Sequence, residues 1–240
     1  LITKSIKRCD RIHVLSRYSR SLLERYFPES KTKILVIPGA LKSDFRVPKV
    51  KQHNITGPLI ILTVGRLHPR KGQADTMDAL TRLPESTRQI IEFWVVGSGG
   101  KYGYGEELKS KAKEAGFRVK FFGDVSEEKL QELYARADIF ALNSVYFRKS
   151  VEGYGLVYLE AAAYGLPIVA NSVGGVSEAV SHMNNGILVK PHDQEALTEA
   201  FNRLVQDPAL RENMGNHGRI WSQRFSWNRI ANELYNTMAM

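Results

Sequence analysis

Two glutamates, Glu152 and Glu160, stand eight residues apart in a segment whose residue types could bind a polar ligand. The intervening sequence, GYGLVYL, places two glycines directly before an apolar run, 156–163, which predicts a helix of about three turns. A helix that is apolar nearly all round is typically buried. Because an unpaired buried charge is costly, a carboxylate at Glu160 needs a partner or a polar ligand.

The start of this helix offers unpaired backbone N–H groups, at Leu156 and Val157, to an anion. Gly153 and Gly155, on either side of Tyr154, leave room for a ligand to approach these groups. Helical side chains lean toward the N-terminus, so Glu160 is predicted to point back toward that anion. A nucleotide has an anionic phosphate and hydroxyls close to it. We therefore predict a nucleotide whose phosphate binds the helix N-terminus and whose ribose binds Glu160.

A second group of polar residues follows the predicted strand 59–64, in the sequence GRLHPRKG from Gly65 to Gly72. Ligands of doubly wound sheets bind at the C-terminal ends of strands. Arg66, Arg70 and Lys71 could therefore hold phosphates there. Taken alone, the same loop would more simply be an exposed basic turn. The glycine turns 97–100 and 174–175 are each weak signals, and we interpret them as further lining of the same crevice.

Short apolar strands alternate with helical patterns along the chain, which predicts an α/β fold with a doubly wound, Rossmann-like parallel sheet and helices on both faces. The predicted strands are 12–15, 34–37, 59–64, 91–96, 119–122, 139–142, 168–170 and 187–189. The predicted helices are 17–26, 74–83, 106–115, 127–135, 156–163, 194–205, 208–225 and 227–238. The last three helices follow one another without strands and predict a C-terminal helical cap.

The domain organisation is predicted from composition. Residues 41–57, with a proline and many charges, are interpreted as a linker. Residues 1–40 are then the end of a preceding domain and its last strand, and residues 58–240 form the ligand-binding domain. The chain begins with leucine rather than methionine, which favours a piece of a longer protein.

The net charge of +9 is concentrated in the first 51 residues, which contain 13 Lys and Arg against 4 Asp and Glu. The remainder holds 21 of each sign and is neutral. A solvated or inter-domain face is the simplest interpretation, and contact with an acidic membrane surface or an anionic acceptor is the sharper one. Nucleic acid is not expected, since the segment lacks a basic-aromatic pattern.

Several other chemistries find no support. The six histidines show no spacing for zinc, and there is no Asp-x-Asp to hold a metal-bridged diphosphate, so no metal or cofactor is expected. No G-x-S-x-G supports a serine nucleophile. No complete G-x-G-x-x-G precedes a helix, which disfavours a nicotinamide dehydrogenase. The apolar runs are too short to span a membrane, and we expect a cytoplasmic protein with, at most, peripheral contact at the inner face of the membrane.

Together, Arg66 and Lys71, the glycine turn 97–100, the segment FFGDV from 121 to 125, and the E-x7-E motif of Glu152 and Glu160 resemble the group 1 retaining glycosyltransferases of two-domain GT-B fold. The match spans roughly residues 10–235 in the right order. The resemblance implies the C-terminal, donor-binding half of that fold, with a missing N-terminal domain that supplies most of the acceptor site. It also implies polysaccharide biosynthesis as the kind of process served.

The resemblance also implies residue roles. Arg66 and Lys71 bind the diphosphate and help the nucleotide leave, and Glu152 contacts the donor sugar, so these three are the predicted catalytic residues. Backbone groups near Val125 read the base. The remaining predicted donor-binding residues lie at the start of the predicted helix 156–163 or are the second glutamate of the E-x7-E motif. They are Gly153, Tyr154, Gly155, Leu156, Val157 and Glu160.

The predicted function is transfer of a hexose from a nucleotide-diphosphate sugar, with uridine chosen on family frequency, to a glycan or lipid-linked acceptor with retention at the anomeric carbon. Two alternatives stay open: a non-catalytic nucleotide-sugar-binding module, and a nucleotide-sugar epimerase of the same fold. The sequence departs from the family pattern at Pro38–Lys42, which follows the second strand. It departs again at Tyr146–Val151, which is longer and more basic than expected.

Overall fold

The computed structural model describes residues 2–41 and 57–238. Its strands are β1 (Ile12–Val14), β2 (Ile34–Val36), β3 (Leu59–Val64), β4 (Ile91–Val96), β5 (Arg118–Gly123), β6 (Ile139–Leu142), β7 (Ile168–Asn171) and β8 (Gly186–Val189). Its α-helices are α1 (Ile2–Arg8), α2 (Arg17–Tyr26), α3 (Gln73–Thr81), α4 (Glu85–Arg88), α5 (Tyr104–Glu114), α6 (Glu127–Arg136), α7 (Leu156–Ala163), α8 (Val176–Ala179), α9 (Gln194–Gln206), α10 (Pro208–Ser222) and α11 (Trp227–Met238).

Six strands form one sheet in the order β5-β4-β3-β6-β7-β8, and every pair in it is parallel. The predicted doubly wound α/β fold is therefore confirmed. The chain starts this sheet at β3, runs outward through β4 and β5, and returns to the other side of β3 at β6. The order of strands thus reverses between β3 and β6, which is where such sheets bind ligands.

Buried side chains lie on both faces of the sheet, as the layered fold requires. One face packs around Trp94, Tyr134, Tyr158 and Phe140 beneath α6 and α7. The other packs around Phe93, Met77, Leu108 and Phe201 beneath α3, α5 and α9. Helix α7 is buried at five of its eight positions, as its apolar sequence predicts.

Most predicted elements are found within a residue or two of their expected bounds, and the bounds of α7 are the predicted ones, 156 and 163. The predicted helix 208–225 ends at Ser222, because residues 223–225 continue as a tighter 3₁₀ turn. Helix α5 begins at Tyr104, two residues before the predicted start, directly after the positive-φ residue Gly103. Residues 42–56 of the predicted linker lie outside the described residues.

Within residues 2–41, β1 and β2 form a separate two-stranded parallel sheet, and α2 connects them. The backbone N–H groups of Arg17 and Tyr18, at the start of α2, donate to the carboxylate of Glu178 at 2.9 and 3.1 Å. This bonding satisfies the free N–H groups of a helix N-terminus with a carboxylate from the main sheet's half of the chain. The assignment of residues 1–40 to a preceding domain stays a prediction.

Within the described residues, no helix has the length and apolarity that crossing a membrane requires.

Candidate functional site

The candidate site lies at the C-terminal ends of β3, β4, β5 and β6, whose following loops are bonded to one another. The N–H of Gly65 donates to the carbonyl of Val96 at 3.0 Å, and the N–H of Gly97 donates to the carbonyl of Gly123 at 2.8 Å. The N–H of Val145 donates to the carbonyl of Arg70 at 2.8 Å, which joins the loops after β6 and β3. The basic loop and the loop before Glu152 are therefore held in a fixed mutual position.

At the centre of the site, the carboxylate of Glu152 accepts bonds from two cations of the basic loop. Its Oε2 lies 2.6 Å from Lys71 Nζ and 3.0 Å from Arg70 Nη1. The hydroxyl of Ser144 donates to the same oxygen at 3.3 Å. Between 11% and 13% of each charged side chain is exposed, so the pairs are largely shielded from water. This ion cluster joins the loops that follow the two central strands, β3 and β6.

The protonation behaviour of the cluster follows from burial and neighbouring charge. The pKa of Lys71 is lowered, chiefly by burial. The charge of Glu152 acts to raise this pKa, and the positive charges of Arg70 and Arg66 act to lower it. Burial alone would raise the pKa of Glu152, but Lys71 and Arg70 outweigh it and hold that pKa below the ordinary value. Two cations, Arg70 and Lys71, pair with one carboxylate, and the charge of Arg66 acts on Lys71 as well, so an excess of positive charge remains to receive a polyanion.

The backbone of the basic loop is fixed at Gly72, the residue after Lys71. This glycine has φ 67°, and a Cβ there would overlap the carbonyl of Asn143. The side-chain oxygen of Asn143 accepts a hydrogen bond from the buried hydroxyl of Thr76 at 2.8 Å. The backbone carbonyl of Asn143 accepts one from the side-chain amide of Asn171 at 2.9 Å. This close backbone approach and its hydrogen bonds fix the point at which the basic loop turns into α3.

The glycines before α7 serve packing as well as access. Gly155 has φ 83°, and a Cβ on it would overlap the ring of Tyr158. The carbonyl of Gly153 accepts from the buried hydroxyl of Ser16 at 2.6 Å. The expectation that these glycines simply leave space is therefore too simple, because Gly155 is required by the turn itself.

Glu160 has the partner that its position in a buried helix requires. Its Oε2 accepts from the hydroxyl of Tyr134 at 2.9 Å, and Tyr134 is fully buried on α6. Burial and the charge of Glu160 raise the pKa of Tyr134 well above its ordinary value, so the hydroxyl stays a donor. Glu160 itself is half-buried, so part of it remains accessible at the edge of the site.

The remaining predicted site residues are placed as follows. Arg66 is exposed directly beyond β3, and Val125 is half-buried beyond β5. At the start of α7, Leu156 is 37% exposed and Val157 is half-buried. The side chain of Tyr154 is buried beside Phe225, at 6.4 Å between ring centroids, so only its backbone is available to a ligand.

Sequence reasoning found the two halves of the ion cluster but not all of its contacts. Arg70 was visible in the basic loop, yet nothing in the sequence showed that it binds Glu152. The contacts of Ser144 with Glu152 and of Tyr134 with Glu160 were missed. Tyr134 is 26 residues from its partner on another helix, and no local spacing could have indicated that pair.

Within the described ranges, no group of three or more His, Cys, Asp and Glu side chains is arranged to hold a metal ion. Metal independence of ligand binding stays a prediction.

Comparisons with known proteins identify the class. Residues 46–221 match the sequence pattern of the family "Glycosyl transferases group 1". A GDP-mannose-dependent alpha-(1-6)-phosphatidylinositol monomannoside mannosyltransferase of Mycolicibacterium smegmatis is 34% identical over 226 residues, covering 89% of this chain and 57% of that protein. The chain belongs to the group 1 glycosyltransferases.

Solved structures agree with this assignment. Sucrose-phosphate synthase from Thermosynechococcus elongatus superposes with a TM-score of 0.82 at 29% identity, covering 97% of this chain and 59% of the other. HepE of Anabaena, in complex with UDP and glucose, superposes with a TM-score of 0.83 at 25% identity, covering 96% and 63%. The chain spans less than two thirds of the length of each of these relatives, and it has the α/β, Rossmann-like architecture of one half of a GT-B glycosyltransferase.

Proposed function

We propose that this chain is the donor-binding half of an enzyme that transfers a hexose from a nucleotide-diphosphate sugar to a glycan or lipid-linked acceptor, with retention at the anomeric carbon. The observation that carries the proposal is the ion cluster of Glu152 with Arg70 and Lys71 at the point where the strand order reverses. Family membership supports the reaction type. The missing N-terminal domain would complete the acceptor site.

In this proposal the donor's diphosphate binds the cations of the basic loop. Arg66 is exposed and Lys71 is the shielded cation beside Glu152. The N–H groups of Leu156 and Val157, at the start of α7, add donors for a phosphate oxygen. As the bond between the sugar's anomeric carbon and the diphosphate breaks, negative charge grows on the leaving oxygen, and these fixed groups stabilise it.

The two glutamates divide the rest of the donor between them. Glu152 lies before α7 on the cation cluster, so we assign it to hydroxyls of the hexose. Glu160, one turn inside α7 and oriented by Tyr134, is assigned to the ribose. Backbone groups near Val125 are assigned to the base. The cations of the basic loop neutralise the diphosphate in this proposal, so we expect donor binding to need no metal.

Two donors are supported by different relatives. The expectation of a UDP-sugar is supported by HepE, which binds UDP-glucose in one of its structures at 25% identity. A GDP-mannose donor is supported by the mycobacterial mannosyltransferase at 34% identity. An O-antigen chain mannosyltransferase of Escherichia coli, 28% identical, supports mannose as the sugar. GDP-mannose is therefore the donor to test beside UDP-glucose.

Two alternative functions are compatible with the same fold. A binding module without catalysis would bind the donor but never turn it over, and the complete set of Arg66, Lys71, Glu152 and Glu160 argues against such decay. An epimerase would convert or release the sugar without an acceptor.

The basic N-terminal segment is assigned to the missing domain or to an anionic membrane surface. Binding to acidic vesicles that falls steeply with salt would support the membrane assignment.

The test is turnover of UDP-glucose and GDP-mannose by the full-length protein, with and without candidate acceptors. Acceptor-dependent release of the nucleotide supports the transferase. Formation of an epimer of the donor's sugar at the same rate without acceptor would favour the epimerase, whereas release of the unchanged sugar is donor hydrolysis. The present chain alone should bind the nucleotide and turn it over poorly.

A further inference from the structure

A cluster of aromatic rings with one arginine stands at the same edge of the sheet as the ion cluster. It joins His68 of the basic loop, Tyr102 of the loop after β4, and Phe147 with Arg148 of the loop after β6. The ring of His68 lies 5.8 Å from Tyr102 and 5.2 Å from Phe147, measured between centroids. The guanidinium of Arg148 lies 4.9 Å from the ring centroid of Tyr102 and 5.5 Å from that of Phe147.

Arg148 is held at the tip of a tight turn. The N–H of Phe147 donates to the carbonyl of Ser150 at 3.0 Å, and the N–H of Ser150 donates back to the carbonyl of Phe147 at 2.9 Å. Arg148 is the first central residue of this turn and has φ 53°, a conformation usually taken by glycine. Tyr102 also has a positive φ, 65°. Unfavourable backbone conformations at side chains that meet one another are typical of functional sites.

The guanidinium carbon of Arg148 lies over the rings of Tyr102 and Phe147, as in a cation–π contact. A guanidinium in such a contact can still present N–H donors to a carboxylate or phosphate. Arg148 is exposed and pairs with no carboxylate among the described residues. Tyr102 is 59% exposed, so an aromatic surface stands next to the free donors.

The same loop reaches toward the N-terminal segment. Tyr146, 56% exposed, neighbours Tyr18 of α2, and burial together with the Tyr146 hydroxyl raises the pKa of Tyr18 to about 12. Residues 146–150 therefore extend from α2 across to the basic loop and end two residues before Glu152. A molecule that approaches the donor's sugar from the side of the N-terminal segment meets this loop.

We propose that Tyr102, Phe147 and Arg148 form an acceptor subsite, in which Arg148 binds an anionic group, phosphate or carboxylate, carried by the acceptor next to the sugar that is modified. The aromatic rings support the apolar face of that sugar, because flat rings offer large contact area at low conformational cost. This inference rests on the proposed transferase function. It assigns to the loop after β6 a selectivity for acidic acceptors.

The test measures binding of glucose 6-phosphate, glucuronate and glucose by calorimetry, on this chain with UDP or GDP present at saturation to occupy the diphosphate site. The two anionic sugars are expected to bind at least about tenfold more tightly than glucose, as one charged hydrogen-bonded pair allows. Arg148→Gln should abolish that difference and leave the affinity for the nucleotide unchanged. Arg148→Gly should do the same without lowering Tm, because glycine suits the turn.

The matched control is Arg136→Gln. Arg136 is also exposed and also lies over an aromatic ring, 5.1 Å from the centroid of Trp94, but it precedes β6 and so lies at the opposite edge of the sheet. This variant should keep the full preference for anionic sugars. Loss of the preference in both variants would indicate a general effect of charge and overturn the proposal.

Two further outcomes are decisive. If neither the anionic sugars nor vesicles that contain phosphatidylinositol bind more tightly than their uncharged counterparts, or if Arg148→Gln retains the preference, the subsite is wrong even where the nucleotide binds normally. If no nucleotide binds, the proposed donor site fails, and the sugar titrations without nucleotide still test Arg148. Vesicles of phosphatidylinositol with phosphatidylcholine, compared with phosphatidylcholine alone, identify the source: an Arg148-dependent difference confined to vesicles assigns the anion to a lipid headgroup.

Discussion

Lys71 and Glu152 meet across the point where the sheet reverses its strand order, with Lys71 Nζ 2.6 Å from Glu152 Oε2. One residue follows β3 and the other follows β6, and both side chains are largely shielded from water. In the absence of ligand each residue therefore satisfies the charge of the other. Donor binding has to insert a diphosphate beside Lys71 and a sugar beside Glu152 without leaving either charge unpaired, because such a charge would be costly to bury.

The first prediction concerns Lys71. Lys71→Ala should weaken UDP or GDP binding by about 1.5–3 kcal/mol, the range for hydrogen bonds to charged groups. Calorimetry in the presence of EDTA measures it. Lys120→Ala is the matched control, since Lys120 also pairs with a buried carboxylate, Glu92 at 2.7 Å, but near the start of β4. Loss of wild-type binding in EDTA would contradict metal independence, and an equal loss in the control would contradict the role of Lys71.

The second prediction separates the two glutamates. Glu160→Ala should weaken nucleotide and nucleotide-sugar binding equally, by about 1.5–3 kcal/mol, because both ligands contain the ribose. Glu152→Gln should leave nucleotide affinity unchanged or improve it, because it releases two cations, and should remove the extra affinity that the sugar confers. Paired titrations of UDP with UDP-glucose, and of GDP with GDP-mannose, measure both effects. A sugar-only loss at Glu160, or equal losses for both ligands at Glu152, would show that the roles are assigned wrongly.

The third prediction concerns Tyr134 as a positioning residue. Tyr134→Phe removes the hydroxyl that donates to Glu160 and should weaken nucleotide binding by about 1 kcal/mol. The matched control is Tyr158→Phe, which removes another buried hydroxyl, bonded to the carbonyl of Leu142 at 2.8 Å. Both variants should lose similar thermal stability. Only Tyr134→Phe should lose nucleotide affinity, and equal affinity in the two variants would rule out the positioning role.

The fourth prediction concerns acid. Because the pKa of Glu152 lies below its ordinary value of 4.5 in the folded protein, the ion cluster contributes its full stability above about pH 4.5. That contribution is lost as the pH falls through the lowered pKa. Without ligand, Glu152→Gln should cost about 2 kcal/mol of unfolding free energy at pH 7, and this cost should shrink as the pH falls through the lowered pKa of Glu152. Urea unfolding of both proteins from neutral to acid pH measures it, and a gap that does not narrow in acid would refute the prediction.

The sequence predicted the sheet, the buried helix and the basic loop because each depends on local patterns. Alternating strands and helices fix the order of elements, and the run from Leu156 to Ala163 is apolar enough to be buried wherever it folds. The need of Glu160 for a partner was also predictable, from the cost of burying a charge. Its identity was not, because Tyr134 reaches Glu160 only through the packing of α6 beside α7.

The contact between Arg70 and Glu152 was hidden for a similar reason. Two cations in the basic loop, Arg70 and Lys71, are equivalent as sequence, and the turn at Gly72 against Asn143 decides where they point. The aromatic cluster likewise combines three loops that are distant in the chain. Such contacts depend on the relative positions of strand ends, which local periodicity does not encode.

The central claim is that nucleotide-diphosphate sugars bind at the ion cluster, and thermal unfolding with ligands tests it most directly. UDP-glucose, GDP-mannose and ADP-glucose are added separately to this chain and to its Lys71→Ala, Glu160→Ala and Lys120→Ala variants. We predict that at least one of the three raises Tm in the wild type and in Lys120→Ala, and that this increase shrinks or disappears in the other two variants. No increase with any of the three, or an undiminished increase in both Lys71→Ala and Glu160→Ala, would contradict the claim.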